Sequence, residues 1–363
     1  MSYRNNDYII KNYDSCVKLV KNFKYDYIEK LFKNKGYVNS QCLKYLGSGG
    51  QGRVYLLSEE ECGKIVIKII KSYDDNNNEL LIVPYVKRII EDYVSPNFLY
   101  IYGYEKIKNY TVIFSEYANG TLEDWLKTKH SYEEWRSFLF QFLSAVVVLQ
   151  TVLKSYHSDL KPKNIFYKNL INKPVFEYNI QEKKYYVPTH GNLFLISDFG
   201  HVQSLMFKKN KLNKDSIELN IKNNIDLEHI IDLHKRIIVN SIEKVYTYGE
   251  MLNIIKKNND LYFDNYLKSK KEEIDKNLSK YPEHVKKKML YRSVAYYILE
   301  KKYIDLEAIP DNSMIMKLPP IKIINEIENW KDHDNILDIL ETFSEFKNVS
   351  SVTTNLIKFK LDD

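Results

Sequence analysis

His157-Ser158-Asp159-Leu160-Lys161-Pro162-Lys163-Asn164, followed after residues 165–197 by Asp198-Phe199-Gly200, is the stretch that decides how this chain is read. The first run places a carboxylate, an amine and an amide in one short loop. Those groups supply a base for a hydroxyl, a counter-charge for a phosphate and an oxygen ligand for a metal ion. Asp198 adds a second carboxylate suited to a hard divalent cation.

Upstream, Gly47-Ser48-Gly49-Gly50-Gln51-Gly52-Arg53-Val54 has the spacing G-x-G-x-x-G-x-V. Without a Cβ, glycine lets backbone N–H groups come close to phosphate oxygens. The same pattern also marks dinucleotide folds and ordinary turns. A dinucleotide fold wants a helix after the last glycine, whereas Arg53-Val54-Tyr55-Leu56-Leu57 continues as a strand. Lys68 ends Ile65-Val66-Ile67-Lys68, as either a solvated edge lysine or a phosphate ligand. A phosphate-binding lysine needs a carboxylate to position it, and Glu79 and Glu91 compete. Glu79 is favoured, because the apolar residues after it in Asn78-Glu79-Leu80-Leu81-Ile82-Val83-Pro84-Tyr85-Val86 would pack a helix on the sheet. Glu91 stands too close to Ser95-Pro96-Asn97. Pro84 would kink or restart that helix.

Pattern divides the chain into two textures. Strands are expected at Leu43 to Leu46, Val54 to Leu57, Lys64 to Ile70, Phe98 to Tyr102 and Thr111 to Ser115, with a helix from about Asn78 to Tyr93 among them. After Gly120 the texture turns helical, with Trp135, Phe138, Leu139, Phe142, Val146 and Leu149 spaced for one face. Glu116 to Gly120 connects the two parts. Near the C-terminus Ile336, Leu337, Ile339, Leu340 and Phe343 form an amphipathic stretch.

The 363 residues, 44% of them hydrophobic, suffice for one large two-part domain or two ordinary ones. Lys and Arg number 54 against 48 Asp and Glu, a balance of +6 that suits phosphate ligands and falls short of a dedicated nucleic-acid binder. Skew toward Lys, Asn, Ile and Tyr matches AT-rich codons and so reflects genome composition. Cys16, Cys42 and Cys62 share no metal-binding spacing and argue for a reducing compartment. The first residues lack the apolar core of a signal peptide, which argues against secretion. The uncharged run Ser137 to Leu153 is interrupted by polar residues and reads as a buried helix rather than a membrane span.

H-x-D-L-K-P-x-N followed by D-F-G resembles the active-site signature of eukaryotic-type Ser/Thr protein kinases, and the glycine loop with Lys68 extends the likeness over about residues 43 to 240. The resemblance implies an α+β, bilobal protein-kinase-like fold. It would comprise an N-terminal extension over 1–40, a small β-rich lobe over 41–117 and a larger helical lobe over 118–363. The larger lobe would carry a hairpin insertion near 168–196 and a helical C-terminal extension. Gly47, Gly49, Gly52 and Val54 would cover ATP, Lys68 would hold its α/β-phosphates, and Glu79 would position Lys68. Backbone groups of Glu116 and Ala118 would meet the adenine, with Ser115 as a small gatekeeper. Asp159 would take or orient the hydroxyl proton, Lys161 would neutralise charge at the γ-phosphate, and Asn164 and Asp198 would hold Mg²⁺ or Mn²⁺. His157 would be structural, and Asp226 would brace the catalytic loop.

The implied activity is ATP-dependent transfer of the γ-phosphoryl group to Ser or Thr of a protein substrate in the cytoplasm, with no nucleic-acid partner and no membrane span. A pseudokinase serving as a nucleotide-binding or scaffold module is the alternative, followed by a small-molecule phosphotransferase. Lys161, two residues after Asp159, disfavours the latter and the tyrosine kinases. Ser158 stands where many protein kinases carry Arg, and no A-P-E follows Gly200. Both departures predict activity without phosphorylation of that segment, and tolerance of alanine at Ser204 and Ser216. The long segment before Asp198 and the short one after Gly200 look like those of protein kinases from large DNA viruses.

Overall fold

A computed structural model of the chain describes residues 17–18, 25–33, 43–48, 52–59, 63–71, 78–207, 212–306, 318–333, 335–348 and 356–360. Cys16, Cys42, Cys62, Gly49 and the lysines at 208, 209 and 211 lie outside the described residues. In chain order the elements are α1 (Tyr25–Lys33), β1 (Leu43–Ser48), β2 (Gly52–Glu59), β3 (Gly63–Lys71), α2 (Asn78–Glu91), β4 (Ile101–Ile107), β5 (Tyr110–Glu116), β6 (Gly120–Thr121) and α3 (Leu122–Trp125). They continue with α4 (Tyr132–Thr151), β7 (Ser155–Tyr156), β8 (Ile165–Asn169), β9 (Val175–Ile180), β10 (Lys183–Pro188), β11 (Asn192–Ile196) and β12 (Gln203–Ser204). The remainder are α5 (Lys214–Lys222), α6 (Ile225–Val245), α7 (Tyr248–Lys257), α8 (Phe263–Asn277), α9 (Glu283–Glu300), α10 (Ile321–Asn329), α11 (Ile336–Glu341) and β13 (Leu356–Lys360). A β-rich N-terminal part thus precedes a largely helical remainder, an α+β architecture.

The chain forms two compact units: Met1–Leu122, Arg136–His229 and His333–Asp363 in one, Glu123–Trp135 and Ile230–Asp332 in the other. In the first, β1 to β5 make an antiparallel sheet in the order β1-β2-β3-β5-β4. Strand periodicity explains its two faces. Ile65, Ile67 and Ile69 of β3 are fully buried, while Val66 and Lys68 point the other way. The β2–β3 and β3–β5 registers set Val54 and Ile113 beside Lys68, and Ser115 beside Val66.

Some expected elements differ in extent. The fourth strand starts at Ile101, because Phe98 instead forms an isolated bridge with Ile196 of β11. Pro84 does not restart α2 as a second helix; one helix runs through it, with Pro84 on the exposed side. Helix α4 has no single apolar face, since every residue from Trp135 to Leu149 is buried. Two of its polar side chains find partners inside: Ser137 Oγ donates to Pro188 O at 2.7 Å, and Gln141 Oε1 accepts from Phe194 N at 3.1 Å.

Between the loop of residues 157–164 and Asp198, β9 and β10 form a hairpin, and β13 adds to β9 in parallel. The apolar residues of α11 and the turn after it also belong to this unit, with Phe343 and Phe346 packed edge-on against Phe140 at 5.4 and 5.5 Å. The second unit has its own core, where Ile238, Ile242, Met251, Ile255, Phe263, Val294 and Ile298 are buried together. Among the described residues no helix is long and apolar enough to cross a membrane.

Candidate active site

A cleft of about 570 Å³ in the first unit is lined by Gly52, Val54, Val66, Lys68, Glu79, Ser115, Asp159, Lys161, Asn164 and Asp198. Residues that the sequence spreads over more than a hundred positions therefore share one cavity. Gly52 is required by packing as well as by its place over the cleft. A Cβ there would come within 2.8 Å of Ile69 O on the paired strand. At Gly47 a Cβ would meet nothing within 4 Å.

Lys68 is held on three sides. Its ammonium donates to Glu79 Oε1 and Oε2, both at 2.8 Å, and to Asp198 Oδ1 at 3.0 Å. Burial pulls the Lys68 pKa down, but the Glu79 and Asp198 carboxylates outweigh it, so the net shift is upward and the amine stays charged. Burial likewise pushes Asp198 up, and Lys68 overcomes it, leaving Asp198 below the ordinary carboxylate value. Glu91 does not compete for Lys68; its Oε1 accepts from Tyr100 OH at 2.6 Å.

The loop of residues 157–164 folds onto its own carboxylate. Lys161 Nζ and Asn164 Nδ2 both donate to Asp159 Oδ2, at 2.7 and 2.9 Å, and Asn164 Nδ2 also donates to Asp159 O at 2.8 Å. With its amide nitrogen committed, Asn164 keeps a carbonyl oxygen as a possible metal ligand. Buried Asn164 is fixed through its backbone, its carbonyl accepting from Ser197 N at 2.9 Å and Ser197 Oγ at 3.1 Å. These bonds tie the loop to the residue just before Asp198.

His157 is fully buried and structural in its contacts. Its Nε2 donates to Ser197 O at 2.9 Å, and its Nδ1 accepts from Asp159 N at 3.3 Å, a pattern that requires one neutral tautomer. Burial lowers its pKa against the pull of Asp226. Asp226 Oδ2 accepts from His157 N and Oδ1 from Ser158 N, at 2.8 and 3.1 Å. Ser158 and Asp198 have left-handed backbones, φ 67° and 59°, which cost about 1–3 kcal/mol each for non-glycine residues. Asp226 anchors the first and Lys68 the second.

The connector differs from the rest in what its side chains do. Glu116 is buried, pairs with Lys168 at 2.9 Å and accepts from Tyr100 N at 2.8 Å, and its own N–H bonds Tyr100 O at 2.9 Å. Neither Glu116 nor Ala118 lines the cleft, whereas Ser115 does.

Sequence reasoning missed Asn78 and Ser197. Asn78 Nδ2 donates to Val202 O at 2.7 Å, fastening the first turn of α2 to the segment after Asp198. No local signal distinguishes that asparagine in an Asn-rich chain. Ser204 also corrects an expectation: it is buried, donating to Leu153 O at 2.9 Å and accepting from Met206 N at 3.1 Å, so alanine there is not neutral.

A model of the protein kinase domain matches residues 40–216. The dual specificity protein kinase TTK of Mus musculus is 28% identical over 128 residues, which is 34% of this chain and 15% of that protein's length. The chain thus aligns with a small part of this relative. The matched segment holds the glycine loop, Lys68, Glu79, the 157–164 loop and Asp198, and the α+β architecture agrees with a protein-kinase fold; together they support a protein kinase.

Proposed function

We propose that the chain is an ATP-dependent protein kinase that phosphorylates Ser and Thr hydroxyls. The observation that carries this reading is the Lys68 ammonium held by Glu79 and Asp198 in the cleft that also contains Asp159, Lys161 and Asn164. Such a preset charge arrangement is what phosphoryl transfer requires, since catalysis there is positioning plus electrostatic stabilisation. Lys68 holds the α/β-phosphates under the glycine loop. Asp159 orients the acceptor hydroxyl and takes its proton as the oxygen attacks the γ-phosphorus and the bond to the β-phosphate oxygen breaks. Lys161 offsets charge on the transferring group.

Among the described residues no three His, Cys, Asp or Glu side chains gather as a metal cage. Asp198 and the Asn164 carbonyl oxygen nonetheless fit Mg²⁺ or Mn²⁺, which bind through a few hard oxygens plus phosphate and water. A bound cation would neutralise phosphate charge between them. The Ser/Thr preference rests on Lys161, which reaches the Asp159 carboxylate and would line the acceptor side. The mouse relative is a dual specificity protein kinase by name, so tyrosine must be tested as well. A likeness to kinases of large DNA viruses rests on the β9–β10 hairpin and on the short run from Gly200 to Asp226, and a host-cytoplasm or virion location would follow from that likeness.

Labelled ATP offered with protein, peptide, sugar and lipid acceptors tests the reading. Transfer to protein Ser and Thr is expected, and phosphoamino-acid analysis separates these from Tyr. ATP binding without transfer to any acceptor would leave the scaffold reading standing in its place.

A further inference from the structure

The turn that closes α2 is gripped by the chain's last described strand. Tyr93, just past the helix, has φ 57°, a left-handed conformation for which glycine or asparagine is the usual choice. A tyrosine there has a structural counterpart: its carbonyl accepts from Lys360 N at 2.9 Å, and its ring stacks on Phe359 with centroids 6.2 Å apart. Phe359 is buried against Phe176 and Tyr178 of β9, at 5.2 and 5.7 Å. The parallel register from Leu356↔Val175 to Lys360↔Asn179 fixes where that ring falls.

The same sheet grips the chain four residues further on. Tyr178 OH donates to Asn97 Oδ1 at 2.7 Å, and Asn97 Nδ2 donates to Gln141 Oε1 at 3.1 Å and Phe194 O at 2.9 Å, all buried. Asn97 O in turn accepts from Ile196 N at 2.9 Å, two residues before Asp198. One clamp therefore holds both the C-terminal end of α2 and the strand that delivers Asp198. At the other end of α2, Glu79 reaches Lys68 and Asn78 reaches Val202 O. A helix moves as a stiff body, so where its far end is pinned decides where Glu79 lies.

We propose that β13 is a positioning element for phosphotransfer, and that Phe359 and Tyr93 act through α2 to keep the Glu79 carboxylate on Lys68. The proposal rests on the protein kinase reading above. Neither residue touches the cleft, so both are positioning residues.

The full-length chain carrying Phe359→Ala, Phe359→Leu or Tyr93→Gly tests it, by steady-state kinetics, thermal melting and hydrogen exchange of peptides covering 78–91. Phe359→Ala is expected to lower kcat roughly ten-fold, equivalent to about 1.4 kcal/mol of barrier, and to speed exchange in α2 before the rest of the chain. Phe359→Leu should restore most of both, because it refills the buried site. Tyr93→Gly relieves the left-handed strain while deleting the ring, so it should melt near wild type and still lose activity and α2 protection. Wild-type kcat and α2 exchange in folded Phe359→Ala would overturn the idea, as would acceleration spread evenly over the chain. If the wild type transfers no phosphate, the kinase reading fails, and α2 exchange alone still decides whether β13 holds the helix.

Discussion

Asp226 Oδ2 accepts the backbone N–H of His157 at 2.8 Å, fastening the first turn of α6 to the loop that carries Asp159. With Ser158 N on its other oxygen, the carboxylate has a structural task distinct from that of Asp198, which faces the cleft. Asp226→Asn should therefore destabilise the fold by about 1–3 kcal/mol, because one buried N–H loses its acceptor. Asp198→Asn should instead raise the Mg²⁺ needed for turnover. Titrating Mg²⁺ separates them: excess metal should partly rescue Asp198→Asn and leave Asp226→Asn unchanged, and the opposite result would exchange the two roles.

Asp159→Asn keeps the shape of a side chain whose one oxygen takes bonds from Lys161 and Asn164. It should fold and bind ATP while losing phosphotransfer by about 10²–10⁴, the usual contribution of a positioned proton acceptor. Single-turnover labelling beside an ATP-binding assay checks this. Undiminished transfer would remove Asp159 from the mechanism.

Acid should act on the site through His157. Its folded-state pKa lies below the ordinary 6.5 because burial disfavours the charged ring, so the unfolded chain binds its proton first as pH falls. The stability linked to the neutral ring is complete above 6.5 and is lost progressively as pH drops from there toward the folded-state value. Melting curves between neutral pH and mild acid should show that slope, and His157→Gln should flatten it. An identical slope in the variant would assign the loss to other groups.

Phosphatase treatment of bacterially expressed protein should leave the initial rate nearly unchanged. Ser158 supplies no guanidinium fork to gather a phosphorylated residue, and Lys68 already sits on Glu79 and Asp198 without one. Ser216 is half-buried at the start of α5, where its backbone N–H rather than its hydroxyl bonds Asn213 Oδ1, and it should tolerate alanine. Ser204→Ala should cost about 1 kcal/mol, since Met206 N loses its buried acceptor. A large fall in rate after dephosphorylation, restored by incubation with ATP, would contradict the prediction.

Much of the cleft was legible because its chemistry is written locally. Asp159, Lys161 and Asn164 lie within one turn of chain, and their mutual bonds at 2.7 and 2.9 Å follow from closeness in sequence. Lys68 was legible for a different reason. Strand alternation forces it onto the face opposite Ile67 and Ile69, the face on which Gly52 also lines the cleft. The fourth strand was misplaced because Phe98 and Tyr100 have the apolar, aromatic character of strand residues, yet Phe98 pairs with β11 instead.

Residue type and short spacing, then, were enough to pick out Lys68, Asp159, Lys161, Asn164 and Asp198 as candidates, all of which line the cleft, and to place a strand-rich part before a helical one. Tertiary structure alone decided the partners over distance. Glu79 and Glu91 are both carboxylates on α2, and only the way that helix packs turns the first to Lys68 and the second to Tyr100. The same holds for Asn78 on Val202, Tyr178 on Asn97 and β13 beside β9, contacts between residues 81 to 181 positions apart that no local pattern encodes. Such pairings form because buried polar groups and strand edges must find partners once the core is packed, and which partner is near is a property of the folded chain.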